Sequence, residues 1–121
     1  MSVLILVLIC VIIGVLAQLS MKRGMQTIGA IDIKSIFSTN IFSIIFQKYV
    51  FVGMILYFFA SLVWLVILSR AELGYVYPLI SIGYVITAIF GKILFNENLT
   101  LLRFLGILLI FGGVYLIVLK V

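Results

Sequence analysis

Histidine is absent from this chain; cysteine, proline and tryptophan occur once each, and aspartate and glutamate together number 3. Without histidine the chain lacks the commonest metal ligand and the side chain that most readily exchanges protons near neutral pH. A single cysteine, Cys10, excludes an intrachain disulfide and a paired-thiol redox site, and its place in an apolar run marks it as a small buried apolar residue. No Ser/His/Asp set, carboxylate pair, metal cluster or phosphate loop can be assembled from the residues present. These absences argue against an enzyme, and no metal or cofactor is implied.

Apolar side chains are what the sequence has in excess. They make up 67% of 121 residues against 9% charged, a composition far from that of soluble domains. About 20 mostly apolar residues cross a bilayer core, so the chain holds four spans, at about 2–21, 49–69, 74–95 and 101–119, in one compact four-helix transmembrane domain covering 1–121. The expected fold is an all-α membrane protein. The first run has no positive segment before it, and Lys22 and Arg23 follow it, an order opposed to that of a cleavable signal peptide. Between the first two spans, Ile33, Ile36, Phe37, Ile41, Ile44 and Ile45 recur near the helical period among polar residues. Part of this stretch, within 31–46, is expected to be an interfacial helix or an extended start to the second span; the alternative is an irregular loop.

The net charge of +5 comes from basic residues scattered singly, without the aromatic-interleaved stripe that nucleic acid requires. They act instead as topology signals. Lys22, Arg23, Lys34, Lys48, Lys92 and Arg103 belong to the first and third connections and adjacent span ends, whereas only Arg70 and Lys120 stand on the other side. Positive residues stay in the cytoplasm, so both termini are expected outside. None of the acids, Asp32, Glu72 and Glu97, falls at membrane depth.

The faces of the spans carry the functional signal. In "GYVYPLISIGY", Tyr77, Ser81 and Tyr84 share a face with Ala88 and Gly91, while Leu79, Ile82, Ile86, Ile89 and Ile93 form another. Hydroxyls left unpaired in hydrocarbon cost several kcal/mol, so this face meets partners or a wet cavity; for Tyr75 and Tyr77 an interfacial aromatic belt is the alternative. Pro78 is expected in the first turn of its helix, where its missing N–H does little harm. Gly83, Thr87 and Gly91 at four-residue steps suit close helix packing. On the first span Gly14, Gln18 and Met21 align, and Gln18 is either a substrate contact or one end of an interhelical hydrogen bond. Trp64 has similar standing, and Lys92 is a topology anchor or a contact for an anionic ligand.

The stretch from Gly74 to Leu119, with "YPLIS", "GKILFNE" and "GILLIFGGV", resembles the carboxy-terminal half of small members of the drug/metabolite transporter superfamily, which includes the EamA-type and small multidrug resistance proteins. "GVLAQLSMKRG" resembles that superfamily's opening helix, so the likeness covers nearly the whole chain outside about 28–46. The membrane glutamate of the small multidrug resistance exporters would fall at Gly14, which cannot exchange a proton. A nearer resemblance, in "AQL", Tyr77–Pro78, Lys92 and Glu97, is to subunits of the 4-amino-4-deoxy-L-arabinose-phosphoundecaprenol flippase.

The resemblance implies translocation of a polyprenyl-phosphate-linked sugar in a bacterial inner membrane, its head passing Gln18, Trp64, Tyr77, Ser81 and Tyr84; a cytoplasmic rim of Lys22, Arg23, Lys48, Lys92 and Arg103 suits the lipid phosphate. Two alternatives stay open: export of a small metabolite or drug without glutamate coupling, and a non-transporting membrane subunit of a glycosyltransferase system. The expected partners are membrane lipid, the substrate, and a second chain. That chain is a paralogue of reversed charge bias in a heterodimer, or a copy in a homodimer, with Gly106, Leu109 and Gly113 as a contact surface.

Overall fold

The structure is a computed structural model, and it describes residues 2–119. Lys120, counted above on the outer side, lies outside the described residues. The chain is all-helical there: α1 (Val3–Ile28), α2 (Ile33–Ile36), α3 (Asn40–Ile45), α4 (Lys48–Leu68), α5 (Leu73–Ile80), α6 (Ile82–Phe95) and α7 (Leu101–Val118). Four segments are long and apolar enough to cross a membrane: α1, α4, α5 with α6, and α7. Helices are the outcome because a chain in hydrocarbon must satisfy its own backbone.

Local chemistry sets the ends. Helix α1 has 26 residues, about 39 Å at 1.5 Å per residue, so its last turns carry Lys22 and Arg23 past a hydrocarbon core of roughly 30 Å. It stops at Gly29, whose φ of 92° suits only glycine and whose N–H still reaches Met25 O at 2.8 Å. Gln47 starts α4 by accepting from the N–H groups of Tyr49 and Val50, both at 2.9 Å. Thr100 Oγ1 accepts from Arg103 N at 3.2 Å and starts α7. Asn96 adopts a left-handed conformation, φ 54°, to end α6.

Part of the stretch between the first spans is helical, as the separate short helices α2 and α3, and because Gln47 caps α4 at its own start the stretch does not extend that helix. One expectation needs correction. Pro78 is not in a first turn: the third span begins at Leu73, which makes Pro78 its sixth residue. Without an N–H there, the carbonyl one turn back at Gly74 loses its donor. The helix is interrupted at Ser81, where Ser81 N bonds to Pro78 O and Tyr84 N to Ser81 O, each at 3.0 Å, in three-residue steps instead of four.

Helix α1 lies between α4 on one side and α5 and α6 on the other. Its tightest seam is with α4. An added Cβ on Gly53 would lie 2.8 Å from Ala17 O, and one on Gly24 would lie 2.8 Å from Val50 N. Ala17 is fully buried in this seam, and Ser20 Oγ donates to Tyr49 O at 2.6 Å. Toward the other end Val7, Cys10, Val11, Ile67, Val76 and Leu79 form the core, joined by Val114, the one buried residue among those described in α7. Helix α7 is peripheral, and the space an added Cβ would fill is open at Gly106, Gly112 and Gly113.

Candidate functional site

A cleft of about 380 Å³ opens where α4 and the broken third span diverge on either side of α1. Its floor is α1, through Cys10, Gly14 and Gln18, one turn apart on a single face. Tyr57, Ser61 and Trp64 of α4 form one wall; Tyr77, Pro78, Ser81, Tyr84 and Thr87 form the other. The α1–α4 seam at Gly24 and Gly53 closes the end that carries Arg23 and Lys48. The opening is lateral: Tyr57, Tyr77 and Tyr84 are 51%, 62% and 64% exposed at its mouth.

Five of the residues expected to contact a substrate, Gln18, Trp64, Tyr77, Ser81 and Tyr84, line this one cleft, although they come from three spans. Trp64 and Tyr77 meet across it edge to face, with ring centroids 6.1 Å apart. Lys92 is elsewhere, exposed in the last turn of α6. Met21, aligned with Gln18 in sequence, turns into the α4 seam against Gly53. Of the small residues on α6, Gly83 packs on Val11 and Val15 of α1, but Gly91 makes room for the folded-back Glu97 side chain of its own exit turn. Sequence reading missed Tyr57 and Ser61 and gave Thr87 to helix packing; the first two stand four and three residues apart along a face ending at Trp64, a spacing hidden in the largely apolar and aromatic "YFFASLVW".

Among the described residues no charged side chain lines the cleft. Its polar groups are neutral, and they divide into two kinds. The hydroxyls of Ser61, Ser81 and Thr87 donate to carbonyls of their own helices, at Tyr57, Pro78 and Gly83, which leaves their oxygens as acceptors. The Gln18 amide, the Trp64 indole and the hydroxyls of Tyr57, Tyr77 and Tyr84 bond to no described residue, which leaves their hydrogen-bonding capacity available at the cleft. Gln18 is thus not spent on an interhelical bond. Such an arrangement can hold a neutral polar group against aromatic surface. Among the described residues it holds no Asp, Glu, Lys or Arg, and Gly14 leaves open space at the position where the exporter glutamate would stand. Among the described residues no cluster of three or more His, Cys, Asp or Glu could hold a metal ion.

Residues 43–119 match the EamA-like transporter family, from α3 through α7. The chain belongs to that family. Its membership is that of a transporter, not an enzyme, and the four membrane-length helices make it a multi-pass membrane protein. The chain is 37% identical over 111 residues to the probable 4-amino-4-deoxy-L-arabinose-phosphoundecaprenol flippase subunit ArnF of Serratia proteamaculans, an alignment covering 88% of this chain and 85% of that protein. With the ArnF counterpart of Photorhabdus laumondii it shares 34% identity over 91% of both chains. With the probable flippase subunit ArnE of Pseudomonas syringae it shares 37% over a shorter segment, 45% of this chain and 50% of that one. No solved structure matches the chain.

Proposed function

We propose that this EamA-like chain is one subunit of a flippase that carries a polyprenyl-phosphate-linked sugar across the inner membrane. The observation that carries the reading is the uncharged, laterally open cleft in which Gln18, Trp64, Tyr77, Ser81 and Tyr84 converge. A polyprenyl-phosphate-linked sugar has a hydroxyl-rich sugar, an ionised phosphodiester beside it and a tail that never leaves hydrocarbon. A cleft open to the side admits the sugar while the tail stays in the bilayer. Proton-coupled export of a cation relies on a titrating acid at membrane depth, and none lines this cleft. The relatives named as flippase subunits support the same substrate class.

The open flank of the cleft also supports a two-chain assembly. With α4 and the third span exposed on their facing edges and α7 hardly buried, a second chain would complete the wall. Related transporters are built from halves of opposite orientation. The charge bias of this chain favours one fixed orientation, termini outside, with a paralogous chain supplying the inverted half. The test is reconstitution in liposomes holding labelled polyprenyl-phosphate sugar, with head-group accessibility followed in each leaflet. Movement by this chain together with its paralogue is the expected result. Absence of movement by either composition, alongside solute-driven flux of a small cation, would overturn the reading in favour of an exporter.

A further inference from the structure

We infer that Arg23 and Lys48, gathered at the ring of Tyr49, form a binding site for the phosphate ester of a lipid at the mouth of the α1–α4 seam. The Arg23 guanidinium carbon lies 5.6 Å from the Tyr49 ring centroid and the Lys48 ammonium nitrogen 5.0 Å from it. Each distance is that of a cation attracted to a ring face. Two cations drawn to one ring repel each other, and neither pairs with a carboxylate among the described residues. An anion bridging them would relieve that repulsion, and guanidinium and ammonium groups are the donors that grip phosphate oxygens.

The pair is built into the fold. Arg23 is on α1 and Lys48 and Tyr49 open α4, and the two helices are locked at this level by Gly24 against Val50 and by Ser20 Oγ on Tyr49 O. The N-terminal amides of Tyr49 and Val50 are already taken by Gln47, so the side chains, not the helix end, would hold the anion. Beside Lys48 lies an apolar shelf. Phe46 and Phe51 stack at 5.9 Å and 27°, and both are exposed, with Phe42 of α3 exposed nearby. Charge beside exposed aromatic surface is the pattern of an amphiphile, with its phosphate on the cations and the first part of its chain on the rings. The other basic residues of this rim lack it: among the described residues Lys22 and Lys92 have no ring contact, and Arg103 Nη1 is engaged with Asn98 O at 2.7 Å.

This site rests on the flippase reading only for the identity of its natural lipid, and binding is measured without transport. Labelled undecaprenyl phosphate is titrated onto the full chain in phosphatidylcholine nanodiscs. Arg23→Gln and Lys48→Gln should each weaken binding roughly tenfold, as expected for a hydrogen bond to a charged group. Tyr49→Phe, which keeps the ring, should bind as the parent does, and Lys34→Gln, at an exposed lysine of α2, should leave affinity unchanged. Retained helix content shows that the variants fold. Equal weakening by Lys34→Gln would mean diffuse attraction to a basic surface, and parental affinity in the Arg23→Gln, Lys48→Gln double variant would mean no site; either result overturns the inference. Competition by phosphatidylglycerol at equal concentration assigns the site to bulk anionic lipid, and its failure to compete assigns it to the polyprenyl phosphate. Site-directed loss of binding with unimpaired sugar movement would leave the site standing and separate it from transport.

Discussion

Replacing Gly53 by alanine tests the seam on which the cleft is built. The new Cβ would lie 2.8 Å from Ala17 O and 3.0 Å from Met21 N, and would also meet Met21 Cγ. The side chain of Met21 can turn aside, but the other two atoms are backbone of α1 and move only with the helix. The gap to Ala17 O must therefore widen from 2.8 Å toward the 3.4 Å at which ordinary contact begins. Overpacking of this kind costs about 1–3 kcal/mol, and the rigid neighbours place Gly53→Ala in the upper part of that range. Alanine's helix preference offsets about 0.5–1 kcal/mol. The net loss is about 1.5–2 kcal/mol. Gly14→Ala is the control on the same pair of helices: nothing lies within 4 Å of its added Cβ, so only the gain of about 0.5–1 kcal/mol remains. The two variants should differ by about 2–3 kcal/mol in unfolding by SDS in mixed micelles, followed by circular dichroism. Gly53→Ala as stable as Gly14→Ala would refute the close α1–α4 approach and, with it, the closed end of the cleft.

Gln18→Leu should reduce sugar movement in proteoliposomes at least tenfold while leaving the unfolding midpoint within about 0.5 kcal/mol of the parent, because the amide bonds to no described residue; full transport activity would remove Gln18 from the pathway. Pro78→Ala returns an N–H to the carbonyl of Gly74 and should slow amide hydrogen exchange from Ser81 to Tyr84 by joining α5 to α6, relieving part of the roughly 3 kcal/mol that an interior proline costs a helix. Unchanged exchange there would separate the break from the proline. In a Cys10→Ala background, Ala71→Cys should label only from outside and Asn98→Cys only from inside; labelling of both from both sides would exclude a single orientation and favour an antiparallel homodimer.

The sequence by itself determined that the chain is a four-span helical membrane protein, because apolar runs of this length have no other way to satisfy their backbone in a bilayer. It also marked Tyr77, Ser81 and Tyr84 as one face and Gln18 as an unusual intramembrane amide, since helical spacing alone places residues on a face. It could not say what each face meets. Gly14, Gly53 and Gly113 are the same letter in similar apolar surroundings, yet one opens the cleft floor, one admits α1 to backbone contact, and one faces open space. The difference lies in which helix passes nearby, a property of the whole packing. Pro78 reads as a harmless first-turn residue until the start of the helix is fixed at Leu73, which turns it into the cause of a break in the cleft wall. Arg23 and Lys48 look like two topology signals on separate spans. Lys48 stands beside Tyr49 in the chain, and only the locked α1–α4 seam brings Arg23 to the same ring, a contact between residues that no local rule connects.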